Sequence, residues 1–275
     1  MTRRPKPTFI VFGLLGGLLL LNLMLPIANL LVRADWFAWV ASVREQGATR
    51  ALGVSALTSI AAVGIMTLLG VPLGYLLARG RLPFRRLWIG LVFLPMAVPD
   101  LAGGILMLQT FGPYGTIGHP LDGWNIALTN NMAGIVLAQL FVSAPFVIIS
   151  ALAGFSGVDP KLEMAAATLG DSQWDIFRRI SFPLAWPSIA AGVTLAWIRA
   201  LGEFGATLIV AYNPFTLPVY MWVKFESNGL AGALPMAFLL VSLAAAAVAV
   251  SMLFSRLTGY PDAVVVFGNR PERLT

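Results

Sequence analysis

Six runs of almost unbroken apolar residues, at 9–32, 53–78, 87–110, 130–153, 187–212 and 232–255, set the first limit on what this chain can become. A helix rises about 1.5 Å per residue, so about 20 residues cross the hydrocarbon core of a bilayer. Every run meets that length. None shows the ten-residue alternation of apolar and polar positions that builds a membrane barrel. Charged residues make up 11% of the chain, against about a quarter in a soluble domain. These features predict an all-α membrane protein with six transmembrane helices. The expected division is a single transmembrane domain over 9–256, between a short N-terminal segment, 1–8, and a tail, 257–275.

Lysine and arginine set the orientation, because short cytoplasmic loops carry the excess. With the N-terminus inside, thirteen basic residues lie in inner segments and four (Arg33, Arg44, Arg50 and Lys224) in outer ones. Both termini and the polar segment 154–186 are therefore expected on the cytoplasmic side of the cytoplasmic, or inner, membrane. The basic residues are scattered over several short loops, which argues against a nucleic-acid surface. Cysteine is absent, which removes disulfides, thiolate metal sites and a cysteine nucleophile. The one histidine, His119, stands in a Gly- and Pro-rich outer loop with no ligand partner near it in sequence, so neither a metal site nor a catalytic cluster is expected. The first run is too long for the 7–15-residue core of a signal peptide and reads as an uncleaved span. Trp36, Phe37 and Trp39 after it read as an interfacial anchor on a short helix.

The segment from Asp159 to Pro187 is too polar to cross a membrane, yet it is punctuated like a pair of short helices. Asp159 and Pro160 form an N-cap and a first-turn proline, and Gly170 supplies a left-handed stop. Asp171 or Ser172 then caps a second helix, with Asp175 at capping-box spacing from Ser172. Trp174 and Phe177 share one face, and Arg178 and Arg179 suit its C-terminal end. Those aromatics either anchor a docking partner or pack back onto the chain's own spans.

Three ionisable residues lie within the apolar runs: Asp100, Arg199 and Glu203. Charges there are costly and usually face protein or water and pair with one another. Counting from the inner ends of the third and fifth runs places Asp100 and Arg199 at similar depth, about 18–20 Å. The expected pairing is Asp100 with Arg199 between helices, or Arg199 with Glu203 one turn on. Helix-to-helix glue and direct substrate contact are both open. Pro95 and Pro99 are expected to kink the third span. Gly202, Gly205, Ala206 and Thr207 allow close helix approach, and either line a path or simply pack.

The polar segment resembles the cytoplasmic signature of permease subunits of binding-protein-dependent ABC importers. Ala165, Ala166, Gly170, Ile180 and Pro183 match it in spacing, and Phe182 replaces a leucine. Met164 stands where that signature has glutamate, with Glu163 one residue earlier. A helix turns about 100° per residue, so Glu163 is not expected to stand in on the same face. The stretch Arg199-Ala-Leu-Gly-Glu-Phe-Gly-Ala-Thr207 is similar to the GEFGA segment of molybdate, tungstate and sulfate permeases, as is Leu94–Gly104, where Asp100 departs from the usual apolar residue or proline.

The resemblance implies a cytoplasmic coupling-helix hairpin between helices 4 and 5, with Glu163, Ala165, Ala166, Gly170, Trp174 and Phe177 as the ATPase-coupling residues. It also implies a translocation path or gate at Gly202, Glu203, Gly205, Ala206 and Thr207. The implied partners are a second permease copy in a homodimer, two ATP-binding subunits that hold ATP and magnesium, and a solute-binding protein. No cofactor is expected on this chain, which has no GxxxxGK[ST] phosphate loop. The implied cargo is molybdate, with tungstate or sulfate as alternatives. An ion-driven secondary transporter, with Asp100 or Glu203 as a proton site, is the rival from another class.

Overall fold

The structure, a computed structural model, describes residues 7–32 and 35–257. The expected sidedness of the termini concerns residues 1–6 and 258–275, which lie outside the described residues. In chain order the helices are α1 (Pro7–Val32), α2 (Trp36–Val43), α3 (Gln46–Ala78), α4 (Arg85–Ala97), α5 (Asp100–Phe111) and α6 (Gly118–Asp122). They continue with α7 (Met132–Ser156), α8 (Pro160–Thr168), α9 (Gln173–Ile176), α10 (Phe182–Leu201), α11 (Gly205–Val210) and α12 (Leu217–Leu257). Among the described residues five helical stretches are long and apolar enough to cross a membrane, and a sixth crossing requires α4 and α5 to count as one. The protein is thus an all-α, multi-pass membrane protein.

The centre of the fold is α7 packed between α3 and α10. Met66 and Val71 of α3, Val147, Ala151 and Phe155 of α7, and Ala185, Ile189 and Ala196 of α10 form one buried cluster. Lipid is as apolar as these side chains, so helices in a bilayer gain most from backbones that approach closely. Gly74 shows this: a side chain there would lie 2.6 Å from Ala151 Cβ and 3.0 Å from the Ile148 carbonyl. Gly192 sets the other contact, against Ser150 and the Phe146 carbonyl of α7. By contrast, α1 is exposed along nearly its whole length.

Several elements depart from the expected spans. The third is broken rather than kinked: α4 and α5 are bent by 112° at Val98–Pro99, where Pro99 removes a backbone donor and restricts the residue before it. The fifth starts earlier. The second hairpin helix does not end at Arg178 and Arg179 but runs through a π turn, Phe177–Ser181, into α10. Pro183 has no N–H for the Arg179 carbonyl, and a widened turn accommodates that loss. The same span stops at Leu201, opens over Gly202–Phe204, and resumes as α11. The outer loop expected over 213–231 is mostly helix, because α12 begins at Leu217 and bends at Gly229, whose φ of 64° is left-handed. Trp39 is buried against Phe238 of α12, ring centroids 4.7 Å apart. Phe37 is exposed.

Candidate functional site

The hairpin is built from its caps. The Asp159 carboxylate accepts the Lys161 N–H at 2.9 Å and the Ser172 hydroxyl accepts the Asp175 N–H at 3.2 Å, so each short helix has an orphan donor satisfied. Gly170 turns the chain between them at a φ of 94°. What holds the hairpin to the membrane helices is Glu163. Its Oε1 accepts from Arg79 Nε at 3.1 Å, from Arg79 Nη2 and from the Ser181 hydroxyl at 2.5 Å. Arg79, at the end of α3, also donates through Nη1 to the Phe155 carbonyl of α7 at 2.9 Å. One guanidinium therefore ties the ends of α3 and α7, the start of α8 and the π turn together.

The offset of one residue turns Glu163 inward to Arg79 while Met164 points outward and is exposed. The paired alanines are likewise split, with Ala165 exposed and Ala166 buried. Phe177 belongs to the interior: its ring packs at 5.0 Å on Tyr75, 5.9 Å on Phe155 and 5.8 Å on Phe182. Trp174 alone of the two stays exposed, stacked on Phe177 at 5.6 Å. Beside it runs a groove of about 320 Å³ between Pro72, Tyr75 and Leu76 of α3 and Gln173, Trp174 and Phe177, crossed by the Arg81–Gln173 hydrogen bond of 2.9 Å. Leu169 at the hairpin tip is also exposed.

The second cluster sits where two spans are interrupted. Arg199, in the last turn of α10, donates from Nη2 to Asp100 Oδ1 at 2.7 Å and from Nη1 to Glu203 Oε2 at 2.8 Å. Both pairings expected from the sequence are present together. Glu203 also accepts the Ala206 N–H at 2.8 Å, so it caps the start of α11 from within the chain break. Gly205 is required by proximity, since a side chain there would lie 2.8 Å from Asp100 Cβ. Gly202 is exposed, whereas Gly205, Ala206 and Thr207 are buried, and among the described residues the Thr207 hydroxyl has no partner.

A family of proteins described as the inner membrane component of binding-protein-dependent transport systems matches residues 70–260. The chain belongs to that family. It is a permease, the membrane-embedded transport subunit of a binding-protein-dependent ABC importer. A probable molybdenum ABC transporter permease of Haloferax volcanii is 40% identical over 239 residues, 86% of this chain and 86% of that one. The molybdate/tungstate transport system permease WtpB of Thermococcus kodakarensis is 40% identical over 238 residues, 86% of this chain and 91% of its own. A membrane chain in the crystal structure of a bacterial alginate ABC transporter has a similar fold, with a TM-score of 0.64 at 17% identity over 91% of this chain and 95% of that one.

This permease also holds polar contacts that sequence reasoning passed over. Gln139, buried in α7, donates to the Ala200 carbonyl at 3.1 Å and to Thr58 Oγ1 at 3.3 Å, so where α10 ends it adds a second donor to a carbonyl that also accepts the Glu203 N–H. The signal was a lone glutamine in the fourth apolar run. At the far end of α3 from Arg79, Glu45 accepts from Lys224 at 2.6 Å and from Tyr220 at 2.9 Å.

Proposed function

We propose that this permease carries molybdate inward across the cytoplasmic membrane, as one of two identical copies, with a solute-binding protein delivering cargo at the Glu45–Lys224 end and ATPase subunits acting at the hairpin. The observation that carries the coupling part is the Arg79–Glu163–Ser181 clamp. It makes α8 and α9 rigid extensions of α3, α7 and α10, so a push on exposed Leu169 and Trp174 is delivered to the helices that pack the core. ATP and magnesium belong to the ATPase partner. Cargo rests on the names of the relatives and on the GEFGA likeness, and tungstate and sulfate share its tetrahedral, doubly charged form. The lysine and arginine bias supports the orientation, with the hairpin and both termini inside. Gly202 to Thr207 serve as the gate, opening when α11 moves from α5.

The test is reconstitution of the permease with its ATPase and binding protein in liposomes. Molybdate uptake is expected only with ATP and binding protein, and unlabelled tungstate and sulfate rank the cargo by competition. Uptake by the lone chain along a proton gradient would refute the proposal in favour of a secondary transporter.

A further inference from the structure

The two carboxylates on Arg199 are not equivalent. Glu203 is on the same chain break, its side chain is 0% exposed, and its second oxygen is occupied by a backbone N–H. Asp100 comes from a different element, is the first residue of the half-helix α5, and its side chain is 44% exposed. The α5–α11 contact beneath it brings the two backbones close at Gly104 and Gly205, and Met107 of α5 packs with Ala206 and Val210 of α11 deeper in. One partner of the arginine is enclosed on its own stretch of chain, and the other is open and stands on a different element.

Asp100 and Arg199 are both partly exposed on a single chain at breaks within spans. Ionisable groups at that position face protein or water rather than lipid. This side of the molecule is therefore the aqueous one, or the one a second copy encloses. With both carboxylates bound the cluster carries one net negative charge; with Asp100 withdrawn, Arg199 and Glu203 sum to zero and leave guanidinium donors pointing into that space. A planar guanidinium fork matches the oxygens of a tetrahedral oxyanion. Left permanently open, such a fork would hold a dianion too firmly, whereas passage needs contacts weak enough to release. A carboxylate on a neighbouring helix is a built-in competitor, present at high effective concentration and removable by motion of that helix.

Building on the proposed oxyanion cargo, we infer that Arg199 is a transient oxyanion contact at the helix break and that Asp100 is the exchangeable internal anion that displaces the cargo from it. Structural glue alone would need no such difference between the two partners.

The test uses the complete permease–ATPase complex in nanodiscs, with labelled molybdate as probe and no binding protein. Wild type is first checked for ATP-driven molybdate and sulfate uptake in liposomes with binding protein present. A wild type that imports neither ends the cargo reading and this inference with it. Given uptake, Asp100→Asn is expected to raise molybdate retention by about fivefold to tenfold while slowing uptake. Adding Arg199→Gln should return retention to the wild-type level. Unchanged retention in Asp100→Asn, or a gain that survives Arg199→Gln, overturns the inference and leaves the cargo reading standing. Assembly is followed by gel filtration. Should Arg199→Gln not assemble, Arg199→Lys in the Asp100→Asn background serves, since it keeps the charge without the fork; retention is expected to fall by half or more, and no fall overturns the inference.

Discussion

Two arginine–carboxylate clusters of the permease, at the hairpin and at the helix breaks, differ in how fully the arginine is enclosed. At the hairpin Arg79 gives its side-chain hydrogen bonds to fixed groups, Glu163 and the Phe155 carbonyl, and both charged side chains are largely shielded, 12% and 16% exposed. At the helix breaks Arg199 divides its fork between an enclosed glutamate and an open aspartate. The first arrangement suits a rigid joint, because every donor has a partner that moves with it. The second suits an element with more than one arrangement, because one partner stands on a separate half-helix. Force transmission and passage of an ion make opposite demands on stiffness, and the two clusters meet them with the same residue types.

The sharpest way to break this contrast is to remove one side of each. Arg79→Ala leaves Glu163 shielded and without its cation, which is expected to cost about 3 kcal/mol of stability and to abolish assembly with the ATPase. Thermal unfolding of the purified chain reads the first effect and co-purification the second; a variant as stable as wild type would show that the joint is not rigidified by this pair. Gly205→Ala is next in size. The added methyl would lie 2.8 Å from Asp100 Cβ and 3.1 Å from the Leu101 nitrogen, so α5 and α11 must separate at an expected cost of about 1–3 kcal/mol. ATP-driven uptake should fall at least tenfold with the hairpin intact, and normal uptake would mean that this contact is not where the gate closes.

Trp174→Ala sharpens the comparison from the hairpin side. Trp174 is 67% exposed and touches the chain through Phe177, so its loss should leave stability within about 0.5 kcal/mol. Loss of an apolar anchor from a docking surface is expected to weaken ATPase binding by about 2 kcal/mol. The reverse pattern, lower stability with unchanged ATPase affinity, would place Trp174 with Phe177 in the interior packing.

How far these features were legible in the sequence follows from the range of the forces involved. The caps at Asp159 and Ser172 and the stop at Gly170 are local, and they reappear where spacing placed them. The Asp100–Arg199–Glu203 cluster was legible because charges in a membrane must find each other and few candidates existed. The Arg79–Glu163 pair was not, because charges at span ends have water as an alternative and a sequence separation of 84 residues gives no hint of partnership. The split of Trp174 from Phe177 was hidden for a related reason: both lie on one helical face, and only the arrival of Tyr75 and Phe182 decides which is covered. The 112° break at Pro99 exceeded expectation because proline marks where a helix weakens but not how far the following half turns.

A third ion pair calibrates the lower end of this scale. Glu45 at the start of α3 is bonded by Lys224 and Tyr220 of α12, and its side chain is 44% exposed. The Lys224 ammonium, aided by the Tyr220 hydroxyl, holds the Glu45 carboxyl below its ordinary value of 4.5, against a smaller opposing push from burial. A carboxyl whose value is depressed on folding contributes stability that is fully present above the ordinary value and is lost as pH falls through the lowered one. The contribution is expected to be under about 1 kcal/mol, because solvent and salt screen so exposed a pair. Unfolding of wild type and Glu45→Gln should therefore differ slightly at pH 7 and converge only once pH has fallen through the lowered Glu45 value. A difference that persists in acid would mean that Glu45 acts through packing against Tyr220 rather than through its charge, and that even a pair this open is not governed by solvent.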